Sequence, residues 1–157
     1  MQKIVTFLVF NDQAEEAVSL YVSVFKNSKI KNIVHMGGEV PGTPTKFLHA
    51  TFELEGQEFQ AINGGPHFSF AQGISLFVNC ETQDEVDELW DKLSEGGEIQ
   101  QCGWLKDKFG VSWQIIPTAL IKLMGDKDRV KAGRVMQAML QMKKIDIAGL
   151  EKAYEGK

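Results

Sequence analysis

Residues 4–25, IVTFLVFNDQAEEAVSLYVSVF, decide how this chain is read. Ile4–Phe10 is a short apolar run, the length of one strand. From Ala14 the period changes. Ala14, Ala17, Val18, Tyr21, Val22 and Phe25 fall at helical spacing and make one apolar stripe. Asp12 is placed to cap the free amides of the first turn, with Glu15 reaching back. The spacing predicts a helix over about Asp12–Lys26.

The same pattern returns 69 residues later, where Val9, Glu16, Leu20 and Tyr21 fall on Val78, Glu85, Leu89 and Trp90. In this second copy Thr82 and Glu85 form a capping box, and Val86, Leu89, Trp90 and Leu93 form the stripe. Gly96 and Gly97 end a helix expected over about Thr82–Glu95. Tyr21 and Trp90 are expected to be buried at matching places.

Between and after the helices the period is two. Thr45–Glu55 alternates, with Leu48, Ala50, Phe52 and Leu54 on one face and His49, Thr51 and Glu53 on the other. Gly56 and Gln57 turn the chain into Glu58–Ile62. Gly73–Cys80, Glu98–Leu105 and Val111–Ile116 are further strand candidates, with a turn at Asp107–Gly110. Gly37–Pro44, GGEVPGTP, reads as a loop. The order is β-α-β-β-β twice, which favours an α+β fold over a doubly wound sheet. Module one covers about residues 1–63 and module two about 70–117, within a single domain of residues 1–157. A helical tail, 118–157, follows. In it Asp146 is a plausible N-cap, with Ile145 and Leu150 as the staple around it. Val135, Met136, Met139, Leu140 and Met142 must cover either their own domain or a partner.

Composition narrows the function classes. Hydrophobic residues make up 43% and charged residues 24%, an ordinary globular balance. A net charge of −4 argues against nucleic acid as a partner. Cys80 and Cys102 are the only cysteines, too few for a disulfide framework, and fit a reducing cytoplasmic setting. The seven-residue run Ile4–Phe10 is too short to span a membrane, so no membrane partner is expected.

Several segments together resemble one family. Phe10–Phe25, Asn63-Gly64-Gly65-Pro66, Ser75–Trp90 and Cys102–Pro117 (CGWLKDKFGVSWQIIP) are similar to PhnB-like proteins of the glyoxalase/bleomycin-resistance/dioxygenase, or vicinal-oxygen-chelate, superfamily. The tail Arg134–Ile147 is similar to an extension that many of them carry. The resemblance implies two βαβββ modules forming a curved mixed sheet around a cup, often holding a divalent metal, and often a homodimer. It implies metal ligands on the first strand of each module and a Glu on the final strand. Gln114 stands at that last place, and the first-strand places fall near Val5 or Thr6 and near Gly73–Ser75, where no His occurs. A neutral amide is a poor substitute for a carboxylate on zinc. No cofactor is therefore expected, although a divalent metal held partly by His49 or His67 stays open. Some relatives carry a demethylubiquinone methyltransferase name. The residues here give it no support, since no glycine-rich turn joins a first strand to its helix.

The candidate cup residues are His49, Thr51, Glu53, His67, Cys102, Trp104, Ser112 and Gln114. If the polar faces of their strands look into a cup, they are convergent polar groups among apolar walls, the usual small-ligand arrangement. His49 is a weak candidate base, since Glu53 lies about 13 Å along the strand at ~3.3 Å per residue. Cys102 as a nucleophile would need a cationic neighbour, and only Lys106 is near in sequence. Three readings remain: a metal-free binder of a small molecule, which is preferred, a small-molecule enzyme with a non-standard metal site, and a structural or regulatory module.

Overall fold

The computed structural model describes all residues, Met1–Lys157, and divides them into two units, Met1–Ser69 and Phe70–Lys157. In the first, the order is β1 (Thr6–Phe10), α1 (Ala14–Val24), β2 (Lys29–Glu39), β3 (Lys46–Leu54) and β4 (Gln57–Asn63). The sheet order is β1-β4-β3-β2, with β1 parallel to β4 and the other pairs antiparallel. Leu48, Ala50, Phe52 and Leu54 of β3 and Phe59 and Ala61 of β4 are buried, as are Ala17, Val18 and Tyr21 of the helix packed on that sheet. The alternation read in the sequence is thus the inside and outside of this layer.

The cap of α1 is a correction. Asp12 does not cap it: the N-cap position is Gln13, with no side-chain bond from it. The amide of Ala14 donates instead to Asn63 Oδ1 at 2.9 Å, from the end of β4. Asn63 is buried, and its Nδ2 donates to Lys46 O. A second correction concerns Gly37–Pro44. Gly37 and Gly38 continue β2, with positive φ at a register shift against β3, and only the remainder turns.

The second unit repeats the plan with β5 (Leu76–Cys80), α2 (Gln83–Ser94), β6 (Glu98–Ile99), β7 (Trp104–Lys106) and β8 (Ser112–Pro117), in sheet order β5-β8-β7-β6. Each module therefore closes its own four-stranded mixed sheet, and the α+β, twice-βαβββ architecture holds. Thr82 Oγ1 accepts from Glu85 N, while Glu85 Oε2 accepts from Glu81 N, one residue earlier than a capping box usually reaches. Tyr21 and Trp90 are both buried, as expected. The expected strand Glu98–Leu105 is broken in two, because Cys102 and Gly103 adopt left-handed φ of 61° and 83°. At Gly103 a Cβ would also lie 2.7 Å from Ile116 Cδ1, so the turn requires glycine there twice over.

Helices and strands of the two modules match at different offsets. Phe10 and Cys80 each end a first strand, facing Asn63 and Pro117 respectively. Three residues then lead to α1 but only two to α2, so Val9 corresponds to Asn79 and not to Val78, while Tyr21 still corresponds to Trp90. The short second connection places Thr82 as its own cap. The longer first one borrows its cap from Asn63.

The tail forms α3 (Thr118–Met124), α4 (Arg129–Leu140) and α5 (Ile147–Glu155). Ile116, Leu120, Val135, Ile145 and Leu150 make one buried cluster, with Met139 and Met142 packed against it. Ile145 and Leu150 thus act as the expected staple, although Asp146 makes no side-chain cap. The amide of Ile147 donates to Gln83 Oε1, and Gln83 Nε2 donates to Ile145 O. The amides of Cys102 and Gly103 donate to Met142 O and Lys143 O. Arg134 closes the tail on itself, donating to Ala153 O and Tyr154 O. Of the five apolar tail residues, Val135 is buried and Met139 and Met142 pack within their own unit, while Met136 and Leu140 are 44% and 42% exposed.

No helix is long and apolar enough to cross a membrane.

Candidate functional site

In the second unit, alternation along β8 sends Ile115 to the buried side with Trp113, and Gln114 and Ile116 to the other. Phe77 of β5 is the register partner of Gln114 on one side, and Trp104 of β7 is its partner on the other. The row Phe77–Gln114–Trp104 therefore crosses three strands. A cavity of about 480 Å³ stands over it. Cys102 adds to the sheet side of the wall, and Leu120, Ile121, Met124 and Met139 of α3 and α4 form the other side.

Three of the eight residues singled out in the sequence, Cys102, Trp104 and Gln114, thus line one cavity. Gln114 is its amide. Its Nε2 donates to Ser75 Oγ at 2.9 Å, which fixes the side chain and leaves its carbonyl oxygen and second N–H for another partner. Ser112 lies two residues before Gln114 on β8 but is buried at the strand's start, facing Lys106.

Cys102 and Cys80 are both free thiols. Burial first, and then the nearby carboxylates Glu85 and Glu81, push the Cys80 thiol up to about 12, so it is not a nucleophile at neutral pH.

The first unit carries the other candidates. His49, Thr51 and Glu53 share the face of β3 turned away from α1. His49 Nε2 lies 3.0 Å from Gln60 Oε1, and its ring is 6.3 Å from that of Phe7. Glu53 lies within 3.8 Å of Lys29 and 3.6 Å of Lys31, and Lys31 also pairs with Glu58. His67 is exposed in the segment after β4. Nowhere do three or more His, Cys, Asp or Glu side chains stand together as a metal-binding group.

Sequence reading missed Gln60. Phe7 is its register partner across β1–β4, as Phe77 is that of Gln114 across β5–β8. Both phenylalanines are about half exposed, at 49% and 47%. The register partner of Gln114 on the first strand is Phe77, and its repeat is Phe7; Ser75, within the stretch Gly73–Ser75, also stands beside Gln114 through their hydrogen bond. The shared Phe–Gln pairing was hidden because the offset between modules is 70 for the first strands and 54 for the last.

A model of the family described as 3-demethylubiquinone-9 3-methyltransferase matches residues 2–116. The chain belongs to that family. It is a PhnB-like member of the vicinal-oxygen-chelate superfamily, and a solved PhnB protein, a putative 3-demethylubiquinone-9 3-methyltransferase from Bacillus cereus, is 41% identical to it. That match covers 74% of this chain and 99% of the other, with a TM-score of 0.67. A Pseudomonas aeruginosa protein shares the fold at 23% identity, covering 74% of this chain and 98% of the other, with a TM-score of 0.63. A Staphylococcus aureus protein is 38% identical over 73% of this PhnB-like chain and 94% of its own, with a TM-score of 0.34. No curated protein matches. The family match ends at Ile116, so the tail that walls the cavity lies outside it.

Proposed function

We propose that this PhnB-like protein binds a small molecule in the cavity of its second unit, against Gln114, without needing a divalent metal. The observation that carries this reading is a single oriented amide, tied to Ser75 and set in a wall otherwise apolar or sulfur-bearing. A cavity of about 480 Å³ is in the range of small-ligand sites, and one well-placed polar group orients what apolar walls hold. The residues at the places where the resemblance puts metal donors support the metal-free part. Val5, Thr6 and Gly73–Ser75 include no His, Cys, Asp or Glu, and Gln114 is a neutral amide, so the donor set does not fit a divalent cation.

Methyl transfer, named in the family description, is not part of this reading. The connection from β1 to α1, Asn11–Gln13, has no glycine-rich turn for a nucleotide-like cofactor. The test is a fragment screen by ligand-observed NMR in excess EDTA, repeated on a Gln114→Leu variant. Fragments that bind in EDTA and are weakened by the substitution are expected. Fragments that bind only after a divalent metal is added, or that ignore the substitution, would overturn the reading.

A further inference from the structure

We infer that the C-terminal tail selects the ligand, restricting the cavity to neutral, flat, largely apolar molecules that carry an oxygen for Gln114. The inference rests on the binding reading above and names the ligand class for the same site.

The family match stops at Ile116, and what it leaves beside Gln114 is a sheet face bearing Phe77, Trp104 and Ile116. The tail sets a wall over that face: Leu120, Ile121 and Met124 from α3 and Met139 from α4. This wall is fixed. Its base is the cluster around Ile116 and Val135, and the segment after α4 is stitched to the Cys102–Gly103 turn and to Gln83 by four hydrogen bonds.

The chemistry of the finished cavity is selective by omission. No Asp, Glu, Lys, Arg or His lines it. A charged ligand would give up part of its hydration in this open cavity without meeting a counter-charge, which disfavours it relative to a neutral one. Phe77 and Trp104 offer ring surfaces, and Met124 and Met139 offer polarisable thioethers that adapt to a flat partner. The free carbonyl and N–H of Gln114 can pair with one carbonyl or hydroxyl oxygen.

The decisive substitution is Ile121→Lys. Ile121 is 51% exposed, so a lysine there keeps its ammonium in water and spares the core while placing a cation on the tail's wall. The probes are 7-methoxycoumarin, which is neutral, flat and bears a lactone carbonyl, and its 3-carboxylate, titrated by calorimetry. The wild-type protein is expected to bind the neutral probe more tightly than the carboxylate by roughly tenfold or more. Ile121→Lys is expected to shrink or invert that ratio by roughly tenfold while melting at an unchanged temperature. If both proteins show the same ratio, or the wild type prefers the carboxylate, the tail does not select and the inference falls while the binding site stands. If neither probe binds the wild type saturably, the inference falls, and the fragment screen on Gln114→Leu decides the binding reading separately.

Discussion

Phe77 and Gln114 are register partners across the parallel pair β5–β8, the same relationship that Phe7 and Gln60 hold across β1–β4. Each module thus presents one ring and one amide side by side, the ring on an edge strand of its sheet and the amide on the strand next to it. An aromatic ring beside an amide favours a neutral ligand with a polar edge over an ion. The first prediction follows from that pairing. Protein purified without chelators, analysed for metals, should hold none in stoichiometric amount. One tightly held zinc or nickel per chain, lost on Gln114→Ala, would contradict it.

The cap of α1 comes from 49 residues away in sequence. Asn63→Ala removes the acceptor for the Ala14 amide and the donor to Lys46 O. Denaturant unfolding should show a loss of about 1–3 kcal/mol. Asp12→Ala should change stability by less than about 0.5 kcal/mol, as surface substitutions away from such bonds do. The opposite ranking would restore Asp12 as the cap.

Asp107 holds the β7–β8 hairpin together. It is buried, and its Oδ1 accepts from the amides of Phe109 and Val111 while its Oδ2 accepts from Trp113 Nε1 at 2.9 Å. Asp107→Ala leaves those buried donors without a partner and should cost about 2–4 kcal/mol in the same measurement. A loss below about 1 kcal/mol would mean that water replaces the carboxylate at little cost.

The buried Cys80 thiol should show itself in the pH dependence of stability. With its pKa raised from 9.0 to about 12, Cys80 stays protonated in the folded state where the unfolded chain would already ionise. Its contribution to stability is therefore complete below pH 9 and is lost as pH rises toward 12. Cys80→Ala should flatten the stability loss across that window. At neutral pH, iodoacetamide should modify Cys102 before Cys80, and mass spectrometry showing Cys80 labelled first would contradict the assignment.

Much of the fold was legible because its signals are local. The stripes through Tyr21 and Trp90, the Thr82–Glu85 pair and the alternation of Leu48–Leu54 each lie within a dozen residues. What escaped depends on distant partners. Asp12 has the right chemistry for a cap, but Asn63 reaches the helix end from a neighbouring strand. Glu98–Leu105 reads as continuous strand, yet Cys102 and Gly103 turn it under the tail, whose carbonyls at Met142 and Lys143 accept their amides. Gln114 was visible through the resemblance. Gln60 was not, because only strand pairing shows that it repeats Gln114. The cavity's second wall was hidden for a related reason: nothing local tells Ile121 or Met124 which side of a helix will meet Gln114.

The central claim is that Gln114 meets a ligand in this cavity with no metal present. The most direct measurement is the side-chain NH₂ resonance of Gln114 in a ¹H–¹⁵N correlation spectrum, assigned by its loss in Gln114→Leu. It is followed as 7-methoxycoumarin is added in excess EDTA. The account predicts a saturable shift of that resonance, accompanied by the indole N–H of Trp104. Shifts confined to the first unit, or a Gln114 resonance that stays in place while the probe binds, would contradict it.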